Sequence, residues 1–107
     1  YYGSPAMHRS IVEEGKQRPQ RPIHLRMICN AAGGLPPALC NELHDRFHCS
    51  VLPSYGMSEC MPISSPPTTF NDKAPTTSGV PCGPETAIVN EKGTKLGVGE
   101  VGNIAVR

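Results

Sequence analysis

Val51-Leu52-Pro53-Ser54-Tyr55-Gly56-Met57-Ser58-Glu59 joins an apolar run to an aromatic ring, a hydroxyl and a carboxylate. The short run predicts a strand from Cys49 to Pro53, which delivers Tyr55 and its neighbours at its carboxyl end. Ligands of open α/β sheets gather at the carboxyl ends of strands. Each residue of Tyr55-Gly56-Met57-Ser58-Glu59 then has a physical use. Gly56 lacks a Cβ, so the backbone there can turn or approach a bound molecule. The Tyr55 ring offers a flat face, and base–aromatic stacking is worth about 1–3 kcal/mol. Ser58 can donate to a phosphate oxygen. Glu59 is a hard oxygen ligand of the kind Mg²⁺ takes beside substrate phosphates. The set suits a magnesium–nucleotide phosphate. A surface loop with a half-buried tyrosine and a solvated glutamate is the plainer alternative.

Upstream, Ile23, Leu25, Met27 and Cys29 alternate, which predicts a buried strand from Ile23 to Asn30. Ala31-Ala32-Gly33-Gly34 comes next with almost no side chains, and such a loop permits close backbone approach. Pro36-Pro37 opens a helix to about Phe47, with Leu39, Leu43 and Phe47 forming a core-facing stripe at i, i+4 and i+8. Cys40, His44 and His48 share that spacing and so share a face. With Cys49 or Cys60 they form a rival zinc reading, although the loop spacings match no common zinc module. His44 and His48 otherwise read as the wet side of the helix. Nearer the start, Ala6 to Lys16 has helical spacing, with Pro5 in the first turn and Gly15 placed to close it. His8 on that helix reads as partly exposed. Gln17 to Pro22 reads as an exposed linker.

Downstream, Cys60-Met61-Pro62-Ile63 continues the apolar character, and Ser64 to Thr77 has no periodicity and reads as a long irregular loop. Thr86-Ala87-Ile88-Val89 predicts a strand, Asn90-Glu91-Lys92-Gly93 a hairpin-like turn, and Gly102 to Arg107 a further strand. The chain shows no internal repeat.

Composition sets bounds on this reading. Twelve prolines and eleven glycines make up about a fifth of 107 residues, only 37% is hydrophobic, and there is no Trp. Small chains bury a lower fraction of their surface than large ones. The expectation is a piece of a larger domain whose other parts cover some of its apolar faces. Ten basic and nine acidic residues leave a net charge of +1, which argues against a nucleic-acid surface made by bulk charge. No apolar run approaches the ~20 residues of a membrane span. Five cysteines without a Cys-x-x-Cys read as reduced intracellular thiols; the expected compartment is cytoplasmic or peroxisomal.

Tyr55-Gly56-Met57-Ser58-Glu59 resembles the Tyr-Gly-x-Thr/Ser-Glu motif of the adenylate-forming enzymes: acyl- and aryl-CoA synthetases, luciferases and peptide-synthetase adenylation domains. Leu25 to Pro37 resembles the strand and small-residue loop before that motif. Ser78-Gly79-Val80-Pro81 and Gly83-Pro84-Glu85 resemble the glycine–proline segment after it. Gly99-Glu100-Val101-Gly102-Asn103-Ile104-Ala105-Val106-Arg107 resembles the family's Gly-Glu-x-Gly-Glu run, and Gly3-Ser4-Pro5-Ala6-Met7-His8 its Val-Pro-Thr-x-His region, where His8 could face the acyl pocket. Order and separations fit along essentially the whole chain. Met57 is closer to the CoA-ligase branch than to the peptide-synthetase branch, where proline is usual.

The resemblance implies an α/β fold. Residues 1–63 would be part of an α/β subdomain of a larger N-terminal domain, containing a strand–helix–strand unit. Residues 64–107 would be a linking loop and the antiparallel start of a small barrel-like subdomain. It implies a reaction in which a carboxylic acid and ATP give an acyl-adenylate, which passes to the thiol of coenzyme A or phosphopantetheine. By motif match Tyr55 would stack on adenine, Gly56 and Met57 line the nucleotide or acyl side, Ser58 contact the α-phosphate and Glu59 hold Mg²⁺. Ala32, Gly33 and Gly34 would line adenine and the acyl group. The family's phosphate loop, ribose-holding aspartate and C-terminal lysine domain fall outside these residues, so the segment would act only with the rest of its parent enzyme. A peptide-synthetase-like adenylation domain and a non-catalytic, zinc-stabilised module are the alternatives.

Overall fold

Three short strands, each ending in a residue that turns the chain away, organise the first half of the molecule. The computed structural model describes residues 1–18, 24–71 and 76–107. Strands β1 (Tyr2–Gly3), β2 (Met27–Asn30) and β3 (Ser50–Pro53) form a parallel sheet in the order β1-β2-β3. Helix α1 (Pro5–Lys16) joins the first two strands and α2 (Pro37–Phe47) the second two. Register is set by Gly3 opposite Asn30 and by Asn30 opposite Pro53. The predicted strand from Ile23 is therefore shorter at its start. Ile23 and Pro19 to Pro22 of the expected linker lie outside the described residues.

Helix α1 starts as its sequence predicts. Ser4 is the N-cap and accepts from Met7 N at 3.3 Å, and Pro5 takes the first turn, where its missing N–H is no loss. Gly15 does not close the helix, which runs on to Lys16 with Gln17 as cap. The glycine instead makes room for its neighbour. A Cβ at Gly15 would overlap the Arg46 guanidinium, which donates from Nη2 to Gly15 O at 2.8 Å. Helix α2 ends at His48, in the left-handed region at φ 50, with its N–H on His44 O. The predicted stripe is present and wider than Leu39, Leu43 and Phe47. Leu39 and Leu43 are fully buried, Phe47 packs at the margin, and Cys40 joins them. With Val12, Ile28, Leu35, Cys49 and Val51 they form the core between the two helices and one face of the sheet. Cys29 and Leu52, one position on, are buried on the opposite face.

His8 is a correction to the sequence reading. It is fully buried, because it stands one helical turn before Val12 on the inner side of α1. Its Nδ1 lies 2.8 Å from the Tyr1 hydroxyl, and Nε2 is buried without a partner among the described residues. Burial pushes its pKa below the ordinary value, partly opposed by a hydrogen bond with the Gly3 backbone.

The second half is antiparallel. Strands β4 (Tyr55–Met57), β5 (Cys60–Ser65) and β6 (Val80–Pro81) form a sheet in that order. Tyr55 pairs with Ser64, Met57 with Cys60, and Ser64 with Pro81. Position 63, where the sequence reading divides the chain, lies inside β5. The expected loop from Ser64 begins two residues later, and Asp72 to Pro75 within it lie outside the described residues. Gly79 is required where that loop returns. Its φ is +82, and a Cβ there would overlap the backbone of Ser65 and Pro66. Strands β7 (Thr86–Val89) and β8 (Asn103–Val106) make a separate antiparallel pair. The predicted turn after β7 is held by Asn90, whose Oδ1 accepts from Lys92 N at 3.0 Å and Thr94 N at 2.9 Å. No described residue beyond Pro66 is buried. Among the described residues no helix is long and apolar enough to cross a membrane.

Gly79→Ala combines a disfavoured φ with backbone overlap, and should destabilise the protein by about 1–3 kcal/mol, measured by denaturant unfolding. For His8 the lowered pKa decides the direction of the pH effect. As pH falls below the ordinary value of 6.5 the unfolded chain takes up the proton first. The contribution of His8 is intact above that value and is lost as pH drops towards the lower folded pKa. His8→Gln should flatten the decline in unfolding free energy between neutral pH and about pH 5.

Candidate functional site

Because β1, β2 and β3 run parallel, their carboxyl ends share one edge. Gly3, Asn30 and Pro53 are the last strand residues there. The backbone stitches the exits together: Ala31 N donates to Gly3 O at 3.0 Å, and Ser54 N to Asn30 O at 2.8 Å. Ser54 is nearly buried, and its Oγ lies 3.1 Å from Ser65 Oγ, which ties this edge to the antiparallel sheet. The edge thus brings together two of the predicted groups, the Ala32–Gly34 loop and the start of the tyrosine motif.

In the small-residue loop, Ala32 has φ 58 and Gly33 φ 140. The first is unusual for a residue with a Cβ, and the second lies where glycine is favoured. Ala32, Gly33 and Gly34 are all exposed, and a Cβ at Gly34 would meet nothing within 4 Å. The loop therefore presents bare backbone to the edge. Asn30 holds it from beneath, with Nδ2 donating to Gly33 O at 2.8 Å.

The tyrosine motif is not the loop its sequence implied. Tyr55, Gly56 and Met57 form β4, and Ser58 and Glu59 form the turn into β5. The cause is the pairing of Tyr55 and Met57 with β5, whose Ile63 is buried to 1% exposure. Tyr55 and Met57 flank a register irregularity in the hairpin, and both are open to solvent: they are 36% and 38% exposed. Gly56 has a different reason to be glycine from the one expected, since a Cβ there would press on Cys60 O at 3.1 Å and Met61 Sδ at 3.2 Å. It lets the hairpin close. Ser58 and Glu59 are exposed, and Glu59 takes part in none of the ion pairs found among the described residues. Ser58 stands roughly 10 Å of extended chain beyond Tyr55. A ring face, a hydroxyl and a carboxylate are thus strung outward along one hairpin from the strand edge.

These donors are of the types that a nucleotide phosphate and its metal take. A single free carboxylate with an adjacent hydroxyl matches Mg²⁺, which completes its shell with water and phosphate oxygens. The zinc reading fares differently. Cys40 is fully buried in the apolar core, whereas His48 is exposed at the end of α2. Burial pushes the Cys49 thiol up. Among the described residues no group of three or more potential ligands could hold a metal ion. His44 departs from the wet-side reading, being half-buried with Nε2 unpartnered among the described residues. A cavity of about 450 Å³ beside His44, His48, Arg26 and Ser50 opens at the starts of β2 and β3, the edge opposite the motif.

Asn30 and Ser54 are the residues that motif reading passes over. The signal for Asn30 was present: an amide closing an apolar strand and succeeded by small residues is a turn-forming side chain. The Ser54–Ser65 contact spans eleven positions and has no local signature.

The sequence profile of the AMP-binding enzyme family matches residues 1–107. An oxalate–CoA ligase of Arabidopsis thaliana is 29% identical over 110 residues, covering all of this chain and 21% of that protein. The solved structure of VinN superposes with a TM-score of 0.85 at 30% identity, covering 98% of this chain and 27% of VinN. A long-chain-fatty-acid–CoA ligase from Archaeoglobus fulgidus gives a TM-score of 0.77 at 26% identity, covering 99% and 24%. The chain thus spans about a fifth to a quarter of the length of the proteins it matches. With its whole length matched by the family profile, the chain belongs to the AMP-binding enzymes.

Proposed function

We propose that this chain is the nucleotide-holding segment of an AMP-forming acid–thiol ligase. The parent enzyme would activate a carboxylic acid with ATP and pass it to the thiol of coenzyme A or phosphopantetheine. The observation that carries this reading is the exposed row of Tyr55, Met57, Ser58 and Glu59 rising from the edge where the Ala32–Gly34 loop also lies. The ring of Tyr55 would take the adenine face, with the bare backbone of Ala32, Gly33 and Gly34 closing on the base and acyl group. Gly56 and Met57 would line the same side. Ser58 would donate to the α-phosphate, and Glu59 would hold Mg²⁺. The metal's contribution, when bound, is to neutralise phosphate charge.

In the first half-reaction a carboxylate oxygen forms a bond to the α-phosphorus while the bond to the bridging oxygen of pyrophosphate breaks. The protein's part is to align and to stabilise charge. In the second, the thiol sulfur bonds to the acyl carbon, AMP departs with the oxygen, and the thiol proton is lost. The rest of the parent enzyme would also cover apolar surface left open here. Val98, Val101 and Ile104 are 108%, 97% and 45% exposed, which supports that reading.

In the whole enzyme, Glu59→Gln should lower ATP–pyrophosphate exchange by about 100-fold without loss of fold. Near-normal exchange in that variant would remove Glu59 from the metal role. Tyr55→Ala should raise the KM for ATP about tenfold or more, the effect of losing one stacked base, and leave the KM for the thiol unchanged.

A further inference from the structure

We infer that Asn30 is a positioning residue, whose buried amide holds the Ala32-Gly33-Gly34 loop in its left-handed shape and fixes that loop relative to Tyr55. The inference rests on the nucleotide-binding reading of the loop. A loop of alanine and glycine has no side chains with which to hold itself, and glycine leaves it more backbone freedom than any other residue. Ala32 at φ 58 adds a conformation that a residue with a Cβ abandons when released. Something outside the loop must hold it, and the described side chain that does so is Asn30. Its Nδ2 donates to Gly33 O at 2.8 Å from a position 1% exposed. The same residue's carbonyl accepts from Ser54 N at 2.8 Å, one residue before Tyr55. One residue therefore grips both halves of the candidate nucleotide site, the loop by its side chain and the tyrosine hairpin by its backbone.

A second observation sets Asn30 apart from ordinary packing. Its Oδ1 is buried with no hydrogen-bond partner among the described residues. Burying an unpaired amide oxygen is unfavourable, and an apolar side chain at the end of this strand would avoid it. The amide end bonded to Gly33 is what such a side chain would forfeit. Loss of that bond should therefore act on nucleotide binding, through the part of the loop assigned to the base.

The test is Asn30→Ala in the whole enzyme, with steady-state ATP–pyrophosphate exchange and hydrogen–deuterium exchange of the peptide spanning Ala31 to Leu35. The expected result is a KM for ATP raised about tenfold, with kcat within about threefold and faster deuteration confined to that peptide. Adding Ala32→Gly, which readmits the left-handed conformation, should recover part of the loss. If Asn30→Ala does not fold, Asn30→Ser is read in its place. A lower kcat at unchanged KM is what a merely structural role would give by reducing the active fraction. That outcome, or unchanged deuteration of the loop, overturns the inference. Tyr55→Ala run alongside separates the two readings. If it keeps an unaltered KM for ATP the nucleotide reading falls, while deuteration still decides whether Asn30 holds the loop.

Discussion

Two backbone hydrogen bonds at the ends of β1, β2 and β3 carry most of what this segment can do. Ala31 N on Gly3 O and Ser54 N on Asn30 O extend the parallel pairing one residue past the strands. They determine where the chain leaves the sheet, and so where the two exit loops sit. A slip of one residue would turn Ile28 and Val51 out of the core and bring Cys29 and Leu52 in. The apolar side chains under the helices thus enforce a register whose visible result lies at the edge. Burial of that core supplies the driving force, at about 25 cal/mol for each Å² of apolar surface removed from water. The edge inherits its rigidity.

Along the chain, one residue separates the parallel sheet from the antiparallel one: Pro53 ends β3 and Tyr55 begins β4, with only Ser54 between them. Its buried hydroxyl meets Ser65 at the far end of β5, so the hairpin is tied at its root while its tip, with Ser58 and Glu59, stands free. A row of functional groups held at one end and open at the other suits a ligand long enough to run from a ring to a string of phosphates.

Much of this was legible in the residues. The stripe of Leu39 and Leu43, Pro5 in the first turn of α1 and the Asn90 turn each rest on local patterns with a single physical meaning. The motif's side chains were legible as chemistry but not as conformation. Tyr55 to Met57 is too short for a period to declare itself, and its strand character comes from a partner several residues away. His8 was misread because burial depends on what packs against the helix, although Val12 four residues on marked the inner face. Gly15 and Gly56 looked like places where the chain ends or bends. They are places where Arg46 and Met61 need room, which only tertiary contact reveals.

The open face beyond Pro66 governs how such a segment behaves in isolation. Val98 and Val101 stand in water, and among the described residues β8 has a bonding partner on one side only, β7. A lone hairpin with an unprotected rim invites a second copy to add itself there. Ending the segment near Pro66 would discard that rim but would also strip β6 from β5, so the open edge would move to the hairpin that bears the tyrosine motif.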